Sequence, residues 1–199
     1  MKKTWFQGSV ELSCVELTAM QFLSQQQTYD WLGKTPFSVR PDRNVLSFPK
    51  GPNFCFKLEL PTKIYRASSF VNYLLPYEEG SLSCPSLLWF TDWGMWNEIH
   101  ERAGMFMLEQ MRAARGEHSP LIETPGLLFD SSEAVALQSF LILPVLFSWD
   151  AYFAPEKGEY FVFNSHDESV YVVSGTKQTH DKLFEDLRTW DPKQSEWTR

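Results

Sequence analysis

Residues 147–175, FSWDAYFAPEKGEYFVFNSHDESVYVVSG, decide the fold. Three runs rich in aromatic and β-branched residues, VLFSWDAYF, EYFVFNS and VYVVSG, are separated by APEKG and HDE, each short enough for a hairpin. Strands joined so tightly must be antiparallel, because a parallel pair needs a long crossover. The reading is a C-terminal β-meander over about 145–174.

The same stretch carries three groups capable of acid–base chemistry: Asp150, His166 and Asp167. With PEKG as the turn, Asp150 falls opposite Phe163 and Ser165 opposite Ser148, which leaves His166 and Asp167 two or three pairs away from Asp150. An imidazole and a carboxylate at one sheet end can serve as a base and its orienting partner. A His–Asp pair in a turn is also ordinary turn chemistry, since Asp tolerates bent backbone and bonds its own main chain, and that is the commoner explanation here. Asp150 is harder to set aside. On an otherwise aromatic strand it must face solvent or be hydrogen-bonded.

Outward from the meander, helices are expected on both sides of it in sequence. Residues 92–115 place Trp93, Trp96, Ile99, Ala103, Phe106, Met107 and Met111 on one apolar arc, with Thr91 or Asp92 as cap and Glu98, Glu101, Arg102, Glu109 and Arg112 opposite. His100 lies inside that arc, where a satisfied core histidine is commoner than a base. Residues 176–190 put Leu183, Leu187 and Trp190 on a stripe that can cover a sheet face, with His180 flanking it. DSSEAVALQSFLIL starts with Asp130 and Glu133 in capping-box spacing and ends before Pro144.

Earlier in the chain, residues 4–16 and FCFKLEL alternate as strands, and Thr18–Leu32 and SSFVNYLLP read as helices. The proline-rich segment after Gly33 reads as loop with short strands. The fold class is α+β, a mixed or antiparallel sheet with its meander covered by amphipathic helices, in a single domain of 199 residues.

Composition narrows the function classes. A net charge of −7, without a run of basic residues, argues against a phosphate-neutralising nucleic-acid binder. The start MKKTWFQGSVELS resembles the charged opening of a signal peptide but lacks the apolar run that must follow. The apolar stretch AVALQSFLILPVLFSW is too short and interrupted to span a bilayer. Cys14, Cys55 and Cys84 are widely spaced, without a CxxC pair, as expected of reduced thiols in the cytoplasm.

No metal-ligand spacing, nucleophile elbow or phosphate loop is present, so no metal and no cofactor is expected. LLWFTDWGMWNE brings Trp89, Trp93 and Trp96 together, as core or as the lining of a pocket for a peptide or planar ligand. The leading expectation is a non-enzymatic intracellular protein-binding domain of the inhibitor or immunity type, whose acidic, aromatic-containing face meets a basic protein. The alternative is a small-molecule-binding protein or hydrolase, with His166 or His100 as base and Asp150 or Asp167 as partner near the end of the meander.

Overall fold

The computed structural model describes residues 20–49, 52–61, 63–78, 81–93 and 98–198. In chain order the elements are β1 (Gln21–Leu23), α1 (Gln25–Leu32), β2 (Ser38–Arg40), β3 (Val45–Ser47), β4 (Phe54–Glu59), α2 (Ile64–Leu74), β5 (Tyr77–Glu78), β6 (Ser81–Leu82) and β7 (Ser86–Asp92). There follow α3 (Glu98–Ala113), β8 (Gly126–Phe129), α4 (Ala134–Phe147), β9 (Asp150–Pro155), β10 (Tyr160–Ser165), β11 (Ser169–Ser174), α5 (Lys177–Asp186) and β12 (Lys193–Glu196).

Eight of these strands form one antiparallel sheet in the order β1-β8-β7-β9-β10-β11-β4-β12. The expected meander is its centre: β9, β10 and β11 are neighbours, with β4 closing on β11. Its first hairpin differs from the expected register. Val162 faces Phe153 and Phe163 faces Tyr152, so the strand runs through Pro155 and the turn is made by residues 156–159. Gly158 takes the left-handed backbone (φ +67) and its N–H donates to the Pro155 carbonyl at 3.0 Å. The shift moves each β9 residue two places along β10 without changing its face, because side chains alternate with period two.

Both sheet faces are buried, which explains why the central strands read as nearly continuous apolar runs. On one face Phe56, Leu88, Phe90, Phe153, Val162 and Val172 pack beneath α2, α4 and α5, through Phe70, Phe140, Leu141 and Leu187 among others. On the other, Trp89, Tyr152, Phe161, Phe163 and Val173 pack beneath α1 and the β2–β3 hairpin. Trp197 closes this second core: its ring meets Phe161, Phe163 and Tyr171, and its Nε1–H donates to the Leu46 carbonyl at 2.9 Å.

Several elements depart from the sequence expectation. The strand expected over 4–16 and the cap Thr18 lie outside the described residues. Of the helix expected to Leu32, residues 21–23 are strand, and Ser24 caps what remains through a capping box with Gln27. Thr91 and Asp92 belong to β7 rather than capping α3. The Asp130–Glu133 capping box forms as expected, but α4 continues through Pro144 to Phe147. A proline so near the helix end forfeits a single N–H bond, and the Pro144 carbonyl gains two donors, Trp149 N at 3.1 Å and Asn164 Nδ2 at 2.9 Å.

The apolar arc of α3 is also turned. Gly104, Leu108 and Arg112 are buried, and the Phe147 ring of α4 lies where a Cβ on Gly104 would come within 2.6 Å. Ala103, Phe106 and Met107 point outward. Arg112, expected on the wet side, is buried beside Phe22, its guanidinium 5.6 Å from the ring and its Nη2 donating to the Thr124 hydroxyl. Burial holds that guanidinium below its ordinary pKa. Among the described residues no helix is long and apolar enough to cross a membrane.

Candidate functional site

One end of the sheet gathers the charged residues. Asp92, the last residue of β7, pairs with Asp150, the first of β9, across a register shift after Phe90. Ala151 pairs with Asn164, so Asp150 stands beside Ser165. Ser165 in turn pairs with Ser169, and Ser169 with Glu59, the last residue of β4. The turn between β10 and β11 is therefore three residues, His166, Asp167 and Glu168, the last in the left-handed region (φ 58) that closes such hairpins.

Register and turn together bring Asp150 to His166. The buried Asp150 carboxylate accepts from the His166 backbone N–H at 2.7 Å, and its Oδ1 lies 2.8 Å from His166 Nδ1. His166 Nε2 lies 3.5 Å from Asp167 Oδ1. The expected separation of two or three pairs is thus replaced by direct contact, a consequence of the shifted β9–β10 register. Asp167 is tied to the strand as well, its N–H donating to Ser165 Oγ at 3.2 Å. Thr91 Oγ1 donates to the Asp150 carbonyl at 3.3 Å.

Two adjoining cavities lie beside this end. One of about 180 Å³ is lined by Arg43, Asn44, Val45, Thr91, Asp92, Asp150, Tyr152 and Phe163. The other, about 440 Å³, shares Asn44 and Thr91 and extends over Gln25, Tyr29, Pro41, Phe90, Trp93, Ile122 and Pro125. A side-chain network ties α1 to the β2–β3 turn here. Trp89 Nε1–H donates to Gln25 Oε1 at 3.4 Å, while Gln25 Nε2 and the Tyr29 hydroxyl donate to Asn44 Oδ1 at 3.0 and 2.6 Å. Asn44 itself is left-handed (φ 52), a conformation Asn tolerates better than most residues.

Of the expected binding residues, Trp89 is fully buried, stacked on Tyr152 with ring centroids 5.4 Å apart, and belongs to the core. Trp93 is half-buried and lines the larger cavity. Trp96 lies outside the described residues. His100 falls in the first turn of α3, and its side chain lies outside what the structure describes. His180 is buried between Phe54, Phe56 and Phe184, with Nδ1 3.1 Å from Asp181 Oδ1.

Chemically, Asp150 fixes the orientation of His166 from both ring and backbone, as an orienting carboxylate does for a base. Among the described residues no group of three or more His, Cys, Asp or Glu is arranged to hold a metal ion. Glu59 closes the row of carboxylates. Its hydrogen bond to Lys193 Nζ, 2.7 Å, holds its carboxyl below the usual range. Sequence reasoning took Asp92 as a helix cap and gave Glu59 and Asn44 no role; strand order alone brings Asp92 and Glu59 to the same end as Asp150.

Comparison with protein-family models, with curated protein sequences and with solved structures finds no match to this chain.

Proposed function

We propose that this chain is a non-enzymatic, intracellular protein-binding domain of the inhibitor or immunity type, which meets a basic partner through the carboxylate-bearing end of its sheet. One observation carries the reading: five neighbouring strand ends and the turn between two of them present Asp92, Asp150, Asp167, Glu168 and Glu59 along a single edge. Asp92, Asp167, Glu168 and Glu59 are exposed there. Charges so aligned on a rigid scaffold raise the local potential and steer an oppositely charged partner. In this reading Asp150 fixes the turn, so that Asp167 and Glu168 are held outward. The aromatic residues contribute less contact area than the sequence suggests, since Trp89 is spent on the core.

A pull-down from the native cell tests it. The expected result is capture of a basic protein whose retention falls steeply as salt rises, since exposed charges are screened within about 10 Å at 0.1 M salt. Capture independent of salt, or of acidic proteins alone, would count against it.

The Asp150–His166 contact at 2.8 Å favours a second reading, a small-molecule-binding protein or hydrolase. Its ligand would occupy the smaller cavity, which Asp150 lines, with the His166 that Asp150 orients as base. Thermal-shift and ester-hydrolysis screens on wild type and His166→Ala separate the two: a ligand shift or turnover lost in the variant supports the second reading, and equal responses remove it.

A further inference from the structure

We propose that the cavity between α5 and the β9–β10 turn binds a small zwitterion with an apolar body, in chemical class an α-amino acid. The cavity measures about 520 Å³ and is walled by the end of α2, the residues before β7, the β9–β10 turn and one face of α5. That volume is ordinary for a small-molecule site. Its charged side chains balance, Lys157 and Lys182 against Glu159 and Asp186. Among the described residues, none of these four side chains makes an ion pair or a hydrogen bond. The contrast along α5 is specific. Lys177 pairs with Asp181 four residues on, and Glu185 pairs with Arg188. Lys182 and Asp186 have the same four-residue spacing that suits a pair, yet they line the cavity and stay apart.

Two unspent charges of each sign around one cavity disfavour a ligand that carries a single sign and suit one that carries both. The Gln178 amide, also unspent, can bond either ligand charge. The remaining lining accommodates an apolar body. Leu75, Pro76 and Leu183 face the cavity, and Tyr73 stands at its rim 55% exposed, its ring set edge-on to Trp190 with centroids 6.3 Å apart. The buried Tyr160 is wall rather than polar contact, because its hydroxyl already donates to the Leu74 carbonyl at 3.0 Å. The β9–β10 turn lies at the far end of β10 from the Asp150–His166 contact. The cavity shares no residue with the acidic edge, so either site can fail without the other.

Nitrogen–proton correlation spectra of the full chain with L-tryptophan, L-phenylalanine and L-leucine at millimolar concentration test it. At least one is expected to shift the amides of Ser83, Tyr160, Gln178 and Thr179 saturably, in wild type and in His166→Ala alike. For the tightest binder, the analogue without the ammonium and the analogue without the carboxylate (for L-tryptophan, indole-3-propionate and tryptamine) are each expected to bind at least ~10-fold more weakly, the loss of one charge-assisted contact. Lys157→Met with Lys182→Met is expected to weaken the amino acid at least ~10-fold and not to weaken the cationic analogue. Both lysines are exposed, so the fold is kept. No shift from any of the three amino acids, shifts confined to other surfaces, single-charge analogues that bind as well as the zwitterion, or a double variant with wild-type affinity would each overturn the assignment.

Discussion

His166 and Asp150 meet at 2.8 Å although they are sixteen residues apart and lie on opposite sides of a hairpin. The carboxylate accepts, so the ring nitrogen facing it, Nδ1, must carry the proton whether the ring is neutral or charged. The neutral imidazole is therefore expected as the Nδ1–H tautomer, the minor form in free histidine. Nitrogen chemical shifts of His166 across a pH titration check this. An Nε2–H tautomer in the neutral ring would mean that the contact is not formed.

Asp150→Ala leaves two donors of residue 166 without their acceptor. It is expected to destabilise the fold by about 1.5–3 kcal/mol, the range for losing hydrogen bonds to a charged acceptor. Urea unfolding of the variant measures it, and a midpoint equal to wild type would show that Asp150 does not order the turn.

Asn164 supports the site from beneath. Its buried Nδ2 donates to the Pro144 and Trp149 carbonyls at 2.9 and 2.8 Å, tying the end of α4 and the start of β9 to β10. Asn164→Leu keeps the number and branching of side-chain heavy atoms and removes both bonds, for an expected loss of about 2–4 kcal/mol. Hydrogen exchange should quicken first near Trp149; uniform protection with unchanged stability would contradict this.

The meander was legible because aromatic and β-branched runs alternate with segments too short for anything but hairpins. Its register was not. Pro155 suggests a turn, yet it ends β9 facing Tyr160, and nothing local marks the left-handed Gly158 as the pivot. The Asp150–His166 contact was hidden by that same ambiguity of two residues. In α3 the pattern misled for a different reason: an Arg is buried and a Phe exposed, the reverse of what periodicity assumes, because Gly104 lets α4 approach on the other side. The α1 boundary failed where Ser24, rather than Thr18, supplied the cap. Strand order, which aligns Asp92 with Glu59 across the sheet, follows from pairings distant in sequence.

Cys55 is buried on β4, and burial pushes its thiol up to about 12. Iodoacetamide at mildly alkaline pH is expected to leave Cys55 unmodified in the native chain and to modify it in urea, as read by peptide mass mapping. Native modification at the rate of a free thiol would show that β4 is open to solvent.

Glu59 and Lys193 shift each other, the carboxyl downward and the ammonium upward, chiefly through their shared hydrogen bond. Because the folded-state pKa of Glu59 is depressed, its contribution to stability is present above the unfolded value and lost as pH falls through the folded one. Both groups are exposed, so the energy involved is small. In Lys193→Met the Glu59 titration midpoint is expected to rise toward its ordinary value. An unchanged midpoint would mean that β12 does not pair with β4 as described.

The most direct trial of the acidic sheet end is a matched pair of pull-downs at low and high salt. The bait is wild type in one arm and the variant Glu59→Gln, Asp92→Asn, Asp167→Asn, Glu168→Gln in the other, which leaves Asp150 and the buried core untouched. Wild type should retain a basic protein at low salt and release it at high salt, while the neutralised variant retains none of it at either. If the variant holds the same protein as firmly as wild type does, the carboxylate edge is not the binding surface.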